Sequence, residues 1–464
     1  MPLPFRVFAM TAVFQSWPGM KQWFTSAGMV PSPPTTSSVA TQPSATPWKS
    51  SHRRGPSAYA RPTTRMQTVG STPIDPRASR VLAIVFVTVF LDLVGFGIVI
   101  PLFPFYVESM GGTARTVGFL FACFSFTQLV ATPLLGRLSD RVGRRRVILV
   151  SLLGNAVAMV LFAIATSQLL LPLLFASRIL AGGTAGNLAA CQATVADVTS
   201  GEQRTRGMGR LGAGIGLGLV LGPVIGSTLS HFGPWAPPLG AAALATADFV
   251  AAFFLMPETR EIVPLGKIAV KGSAALAAVL GQRRLLTVLG LYFCTFLYMT
   301  TMQVALALLA KERLDWGEKQ IGAIFGGYGA ITFTVQGILI SRISRLYGPI
   351  RTVTFAALLS AAGLVTIAFA HQPISLLAGI FVLALGLGIT QPLLSSIASE
   401  YAAAESRGAV LGFAQSAGGL ARTIGPTLSG FLYVGFGAGA PFAAGAVVAV
   451  VGAALTITLW KTPA

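Results

Sequence analysis

Four ionisable side chains stand inside long apolar stretches of this sequence: Asp92, Arg178, Asp248 and Arg422. A carboxyl group there can bind and release a proton, and a guanidinium stays charged at any working pH. At the centre of a bilayer an Asp or Arg costs at least ~2.5–3.5 kcal/mol, so each should face a cavity or other helices rather than lipid. Asp92 lies midway along its stretch beside Gly95 and Gly97, and is the first candidate for a proton-carrying carboxylate. The alternative is an acid neutralised by Arg178 that only fixes helix packing. Arg178 could meet a substrate anion or the ionised Asp92, which would set protonation against substrate binding. Asp248 is a second candidate proton or cation site, or an acid bonded to a neighbouring Ser, Thr or Gln. Arg422, just after Gly418-Gly419, could act in the interior or snorkel toward water.

Polar groups at mid-depth are the candidates for substrate contact: Gln128, Asn187, Gln192, Gln303, Gln391 and Gln415. The aromatic residues Phe96, Phe124, Tyr298 and Phe413 could stack on a planar ligand, although each alone serves packing equally well. No HExxH, P-loop or GxSxG pattern occurs, and the three histidines (His52, His231, His371) are far apart. Cys123, Cys191 and Cys294 lie in separate apolar runs and read as small buried hydrophobes. An enzyme, an ATP-driven pump, a cofactor and a bound metal are therefore not expected.

The elements that must hold these residues follow from composition. Of the 464 residues 53% are hydrophobic and only 10% charged, with a mean hydropathy of +0.73. Soluble domains carry roughly 25% charged residues, so most of this surface must face lipid. Apolar stretches near the ~20 residues needed to cross a bilayer recur from Val81 onward. They predict spans at 81–106, 115–136, 146–167, 169–192, 207–231, 235–256, 284–309, 318–340, 350–370, 374–396, 408–432 and 440–460. The fold class is thus all-α, with twelve transmembrane helices in two six-helix halves, 78–256 and 284–464, joined by a basic linker at 257–283. Residues 1–77 hold Arg, Ser, Pro and Thr with no Asp or Glu before Asp75, a composition expected to stay disordered. That segment overlaps in character with organelle transit peptides, or reflects a start upstream of the true initiator, Met66.

The net charge of +19 is read loop by loop, because Lys and Arg set topology. Arg137, Arg141, Arg144, Arg145, Arg146, Arg204, Arg206, Arg210, Arg260, Lys267, Lys271, Arg283, Arg284, Arg342, Arg345, Arg351, Arg407 and Lys461 fall on one side. The other side holds Arg115, Lys311, Arg313 and Lys319, so both termini are expected in the cytoplasm. The charge therefore serves topology rather than nucleic acid. The halves also repeat: Gly136-Arg-Leu-Ser-Asp-Arg-Val-Gly143 has a counterpart at Ser341–Gly348 about 205 residues later, and Gly222-Pro223 at Gly425-Pro426. Parallel repeats about an axis along the membrane normal place a substrate site between the halves.

The stretch Gly136-Arg-Leu-Ser-Asp140-Arg141-Val-Gly143-Arg144-Arg145 resembles the loop signature of the major facilitator superfamily, G-x-L-x-D-R-x-G-R-R. Gly218-x-x-x-Gly222-Pro223-x-x-Gly226-Ser227 resembles that family's antiporter motif, with Ser227 replacing its last glycine. Asp92-x-x-Gly95-Phe96-Gly97 through Pro101 and Arg178-x-x-x-Gly182-Gly183 are similar to the first- and fourth-helix motifs of the twelve-helix drug/proton antiporters. From Val81 to Trp460 the chain is similar to the tetracycline-resistance branch. It departs at Arg345, which stands near the position matching Asp140, and its Pro101–Tyr106 ending is generic for relatives of other substrates.

The resemblance implies an exporter of small amphipathic molecules, tetracycline-like ones included, in exchange for protons, working as a monomer in a bacterial inner membrane. It implies proton coupling at Asp92 and Arg178. It also implies that the Gly136–Arg145 loop gates by locking against the eleventh span, and that Gly218, Gly222, Pro223 and Gly226 seal the path against proton leak. Independently, Gly136 and Gly143 suit a tight loop, Asp140 suits the N–H groups of a helix start, and Pro223 should bend its helix. A proton-linked importer of a sugar or metabolite, or a non-transporting sensor, are the rival expectations.

Overall fold

The computed structural model describes residues 76–259, 281–402 and 407–460. The N-terminal tail and most of the linker, with Arg260, Lys267 and Lys271, lie outside the described residues. Every regular element among the described residues is helical. The first span is α1 (Pro76–Val99), a 3-10 turn at Ile100–Leu102, and α2 (Phe103–Ser109). Then come α3 (Ala114–Val142) and α4 (Arg144–Ser167). The fourth span breaks into α5 (Leu171–Thr184) and α6 (Asn187–Val198), followed by α7 (Gly201–Leu229) and α8 (Ala236–Leu255). The second half opens with α9 (Arg283–Leu314). Its second span is α10 (Glu318–Thr334), a π-turn at Val335–Leu339 and α11 (Ile340–Tyr347). It closes with α12 (Pro349–Ala368), α13 (Pro373–Tyr401), α14 (Arg407–Phe436) and α15 (Ala440–Trp460).

Twelve spans result. Ten helices among the described residues are long and apolar enough to cross a bilayer. Of the other two spans, the fourth is divided at Ala185-Gly186, and α14 carries Gln415, Arg422 and a series of small residues. Large apolar side chains such as Val150, Phe254, Phe355 and Val447 point outward, as lipid-facing surfaces require.

The packing repeats between the halves. α1 packs on α7 and α8, α4 on α8 and α5, and α3 on α5. Correspondingly, α9 packs on α14 and α15, α12 on α15 and α13, and α10 on α13. The same neighbour scheme thus serves both six-span sets, which the repeated Gly-Pro pair and loop segment foretold. The halves meet through α3 against α14 and α7 against α10.

Those two seams are tight at the end bearing the Ser109–Ala114 turn. A β-carbon added to Gly329 would stand 3.1 Å from the Val220 side chain, and one at Gly326 only 2.7 Å from Val224. Gly118 abuts the Pro426 backbone, Arg115 lies 5.0 Å over the Phe431 ring, and Lys311 pairs with Glu108 at 2.5 Å. Gly136, Gly212, Gly337 and Gly412 each face open space.

Between α1 and α7 the glycines do the work that small residues do in membranes, letting backbones touch. A β-carbon at Gly222 would stand 2.6 Å from the Gly97 Cα, and Gly218 presses on Leu93. α7 runs unbroken through Pro223. This sets up a comparison within one helix. Gly222→Ala is expected to lower stability by about 1–3 kcal/mol through overpacking. Gly212→Ala, in open space, should raise it by up to ~1 kcal/mol through helix propensity. Thermal unfolding of the two variants in detergent checks the difference; equal melting would contradict the close approach.

Candidate functional site

A cavity of about 110 Å³ lies among α1, α3, α4 and the broken fourth span. Asp92, Phe96, Phe124, Gln128, Ser151, Asn155, Met159, Arg178 and Asn187 line it. Four of the sequence-predicted residues (Asp92, Arg178, Gln128, Asn187) and Phe96 therefore come together. Their elements explain why. α1 supplies Asp92 just before Gly95, which faces Ala241 of α8, and Gly97, which packs on Gly218 and Gly222 of α7. The break at Ala185-Gly186 puts Asn187 at the start of α6, where its Oδ1 accepts from the Leu188 N–H at 2.7 Å.

Asp92 is half-buried and opens to the cavity. Asn155 Nδ2 donates to its Oδ1 at 3.1 Å, and Asn187 lies within hydrogen-bonding reach. Both partners are neutral amides. The expected pairing of Asp92 with Arg178 is not formed. Arg178, buried at 2% exposure, instead directs Nε at Ser177 Oγ (3.4 Å) and a terminal nitrogen at Met159 Sδ (3.8 Å). Its guanidinium lies 4.6 Å over Phe162 and 5.3 Å over Phe103, whose faces attract a cation. Aromatic residues thus hold the charge that a carboxylate was expected to hold.

Asp248 sits behind this cavity rather than in it. It is 1% exposed, faces Thr88 of α1, and leaves Oδ2 without a hydrogen-bond partner. In the second half, Arg422 lies 4.7 Å over Phe296 and does not snorkel to water. Gln391 donates to Met299 Sδ at 3.1 Å, Gln303 is half-buried, and Gln192 and Gln415 are exposed; none of the four lines the cavity. Tyr298, expected to be open for stacking, is 1% exposed and unavailable. Ser360 and Thr390 face its hydroxyl, each a little over 200 residues beyond Asn155 and Asn187.

The arginine-rich loop corrects another expectation. The helix continues through Gly136, and the turn is the single residue Gly143 at φ 103°. Asp140 pairs with Arg144 at 2.7 Å. Arg144, nearly buried, also holds Asp197 at 3.0 Å and Ser139 Oγ at 2.7 Å. The start of α4 is capped by Glu258, which accepts from the backbone N–H groups of Arg144 (2.8 Å) and Arg145 (3.3 Å). A side chain at Gly143 would strike that carboxylate. Arg141 is exposed, and Arg145 lies 5.6 Å over the Phe253 ring. The start of α14, where this loop was expected to lock, includes Arg407, whose side chain is outside the described residues. Asn155, Ser151, Asp197 and Glu258 were missed from sequence. Glu258 had a signal in the Pro-Glu-Thr that ends the sixth span.

Two family-model matches, to the Major Facilitator Superfamily, cover residues 85–303 and 288–464. The chain is 31% identical over 362 residues to the class E tetracycline resistance protein of Escherichia coli, spanning 76% of this chain and 88% of that one. It is 27% identical over 397 residues to multidrug resistance protein 1 of Bacillus subtilis (strain 168), covering 82% and 97%. Among solved structures it resembles the human organic anion transporter MFSD10 (TETRAN), with a TM-score of 0.64 and 27% identity over 82% of this chain and all of that one.

The Glu258 cap is open to test. Glu258→Ala leaves two N–H groups of a helix start without their charged acceptor and should cost about 1–3 kcal/mol. Glu258→Gln should recover part of it, as read by thermal unfolding in micelles. Wild-type stability in the alanine variant would contradict the cap.

Proposed function

The chain belongs to the major facilitator superfamily of transporters, and we propose that it exports small amphipathic molecules in exchange for protons by alternating access. The observation that carries this reading is Asp92, a mid-span acid in the wall of a cavity, held by two amides and no cation. An acid whose only role was to hold helices together would be expected to pair with the guanidinium that shares its cavity. A carboxyl that opens to the cavity can exchange a proton with whatever enters it. The names of relatives support a drug-like cargo, since they include tetracycline resistance and multidrug resistance proteins.

Lys and Arg placement orients the arginine-rich end toward the cytoplasm. In that orientation Glu108–Lys311 and the tight parts of the α3–α14 and α7–α10 seams lie on the outer side. The membrane is a bacterial inner membrane and the unit is a monomer. In the cycle, a proton reaches Asp92 from outside and leaves to the cytoplasm as cargo binds, and the loaded protein then turns outward. Coupling needs only that proton and cargo have opposing preferences for one site or state, since linkage is reciprocal. The Arg144 network holds the ends of α3, α4 and α6 together as one body while the halves rock. The glycine face of α7 keeps α1, and so Asp92, seated against the seam.

Inside-out vesicles with an imposed pH gradient give the test, with tetracyclines, cationic dyes and sugars as the panel. At least one tetracycline or dye is expected to dissipate the gradient, and Asp92→Asn to abolish the response. A response from sugars alone, or an Asp92→Asn variant as active as the parent, would overturn proton-coupled export.

A further inference from the structure

We infer that Arg178 is an anion-binding group in the wall of the cavity, holding the carboxylate head of a small aromatic acid. The guanidinium has five N–H donors in a planar fork. Its described acceptors are one hydroxyl at 3.4 Å and one thioether at 3.8 Å. Ser177 Oγ already donates to the Leu174 carbonyl at 2.7 Å, so it offers Arg178 only a lone pair. Among the described residues no carboxylate lies within ion-pair distance of Arg178. Arg144 is the contrast within the same half. It is similarly buried, at 6%, and holds both Asp140 and Asp197. Arg144 is thus supplied with counter-charge by the protein itself. At Arg178 the counter-charge is left to a ligand.

Shape supports the same chemistry. A fork of N–H groups matches a carboxylate in two parallel bonds. The space of about 110 Å³ is smaller than the ~300–1,000 Å³ of a drug-sized site, so it accepts a head group and leaves the remainder outside. Phe96 and Phe124, 5.7 Å apart between ring centres, line the same cavity and can stack an aromatic ring. Asp92 shares the cavity, and its negative charge opposes an anion there. Removing that charge should therefore strengthen binding. The inference rests on the reading of this cavity as a binding site, and the carboxylate is a ligand distinct from the exchanged cargo, because an anion favoured by neutral Asp92 binds with the proton rather than against it.

Calorimetric titration of the purified full-length protein in detergent tests it, with benzoate, neutral benzamide and cationic benzamidine as probes. Benzoate should bind at least about tenfold more tightly than benzamide, the scale of one charge-assisted bidentate contact. Arg178→Gln should abolish the preference, and Asp92→Asn should tighten benzoate binding. Equal affinity for benzoate and benzamide, no benzoate binding, or a preference that survives in folded Arg178→Gln would overturn the assignment. If Arg178→Gln does not fold, Asp92→Asn decides, because unchanged or weakened benzoate affinity contradicts an anion held in that cavity. Benzoate binding as expected, together with no proton movement in vesicles, would count against the export reading and leave this one standing.

Discussion

Asp92 and Arg178 share one cavity and are not paired with each other, and the rest of the site is organised by that separation. In hydrocarbon an uncompensated charge is costly, so each side chain needs a substitute for water. Asp92 has two amides, Asn155 and Asn187, on different spans. Arg178 has the faces of Phe103 and Phe162. Neither set neutralises its charge. Both residues are thus held in place while remaining responsive to what enters the cavity. A direct ion pair would satisfy both and leave neither free to exchange a partner.

The surrounding frame is two copies of one packing scheme, and the copies differ where function needs them to. In α9, Tyr298 is buried, with Ser360 of α12 and Thr390 of α13 near its hydroxyl. The first half instead sets an acid, Asp92, in a cavity wall. The same holds at the arginine-rich end, where the first half builds a closed Asp140–Arg144–Asp197 network capped by Glu258. The second half replaces its acid with Arg345. The seams that join the halves press together at the opposite end.

Much of this was legible in the sequence. Apolar lengths located the spans, because a bilayer demands nearly the same length each time. Isolated acids and arginines marked the cavity, because their cost in lipid leaves few places for them. What stayed hidden was partner choice. Amides, hydroxyls and aromatic rings are common in such helices, and nothing in spacing says that Asn155 rather than Arg178 meets Asp92. The division of the fourth span at Ala185-Gly186 was hidden for a similar reason: small residues permit a break without requiring one. Glu258 lies 114 positions from Arg144, so its cap depends on how α8 returns to α4.

Infrared difference spectroscopy of the purified protein through a pH titration addresses the central claim without needing the cargo. The carboxyl of Asp92 should give a protonated C=O band that appears and vanishes reversibly while the protein stays folded, and that is missing from Asp92→Asn. Identical difference spectra for the two proteins would mean that Asp92 does not exchange a proton, and the coupling mechanism would fail with it.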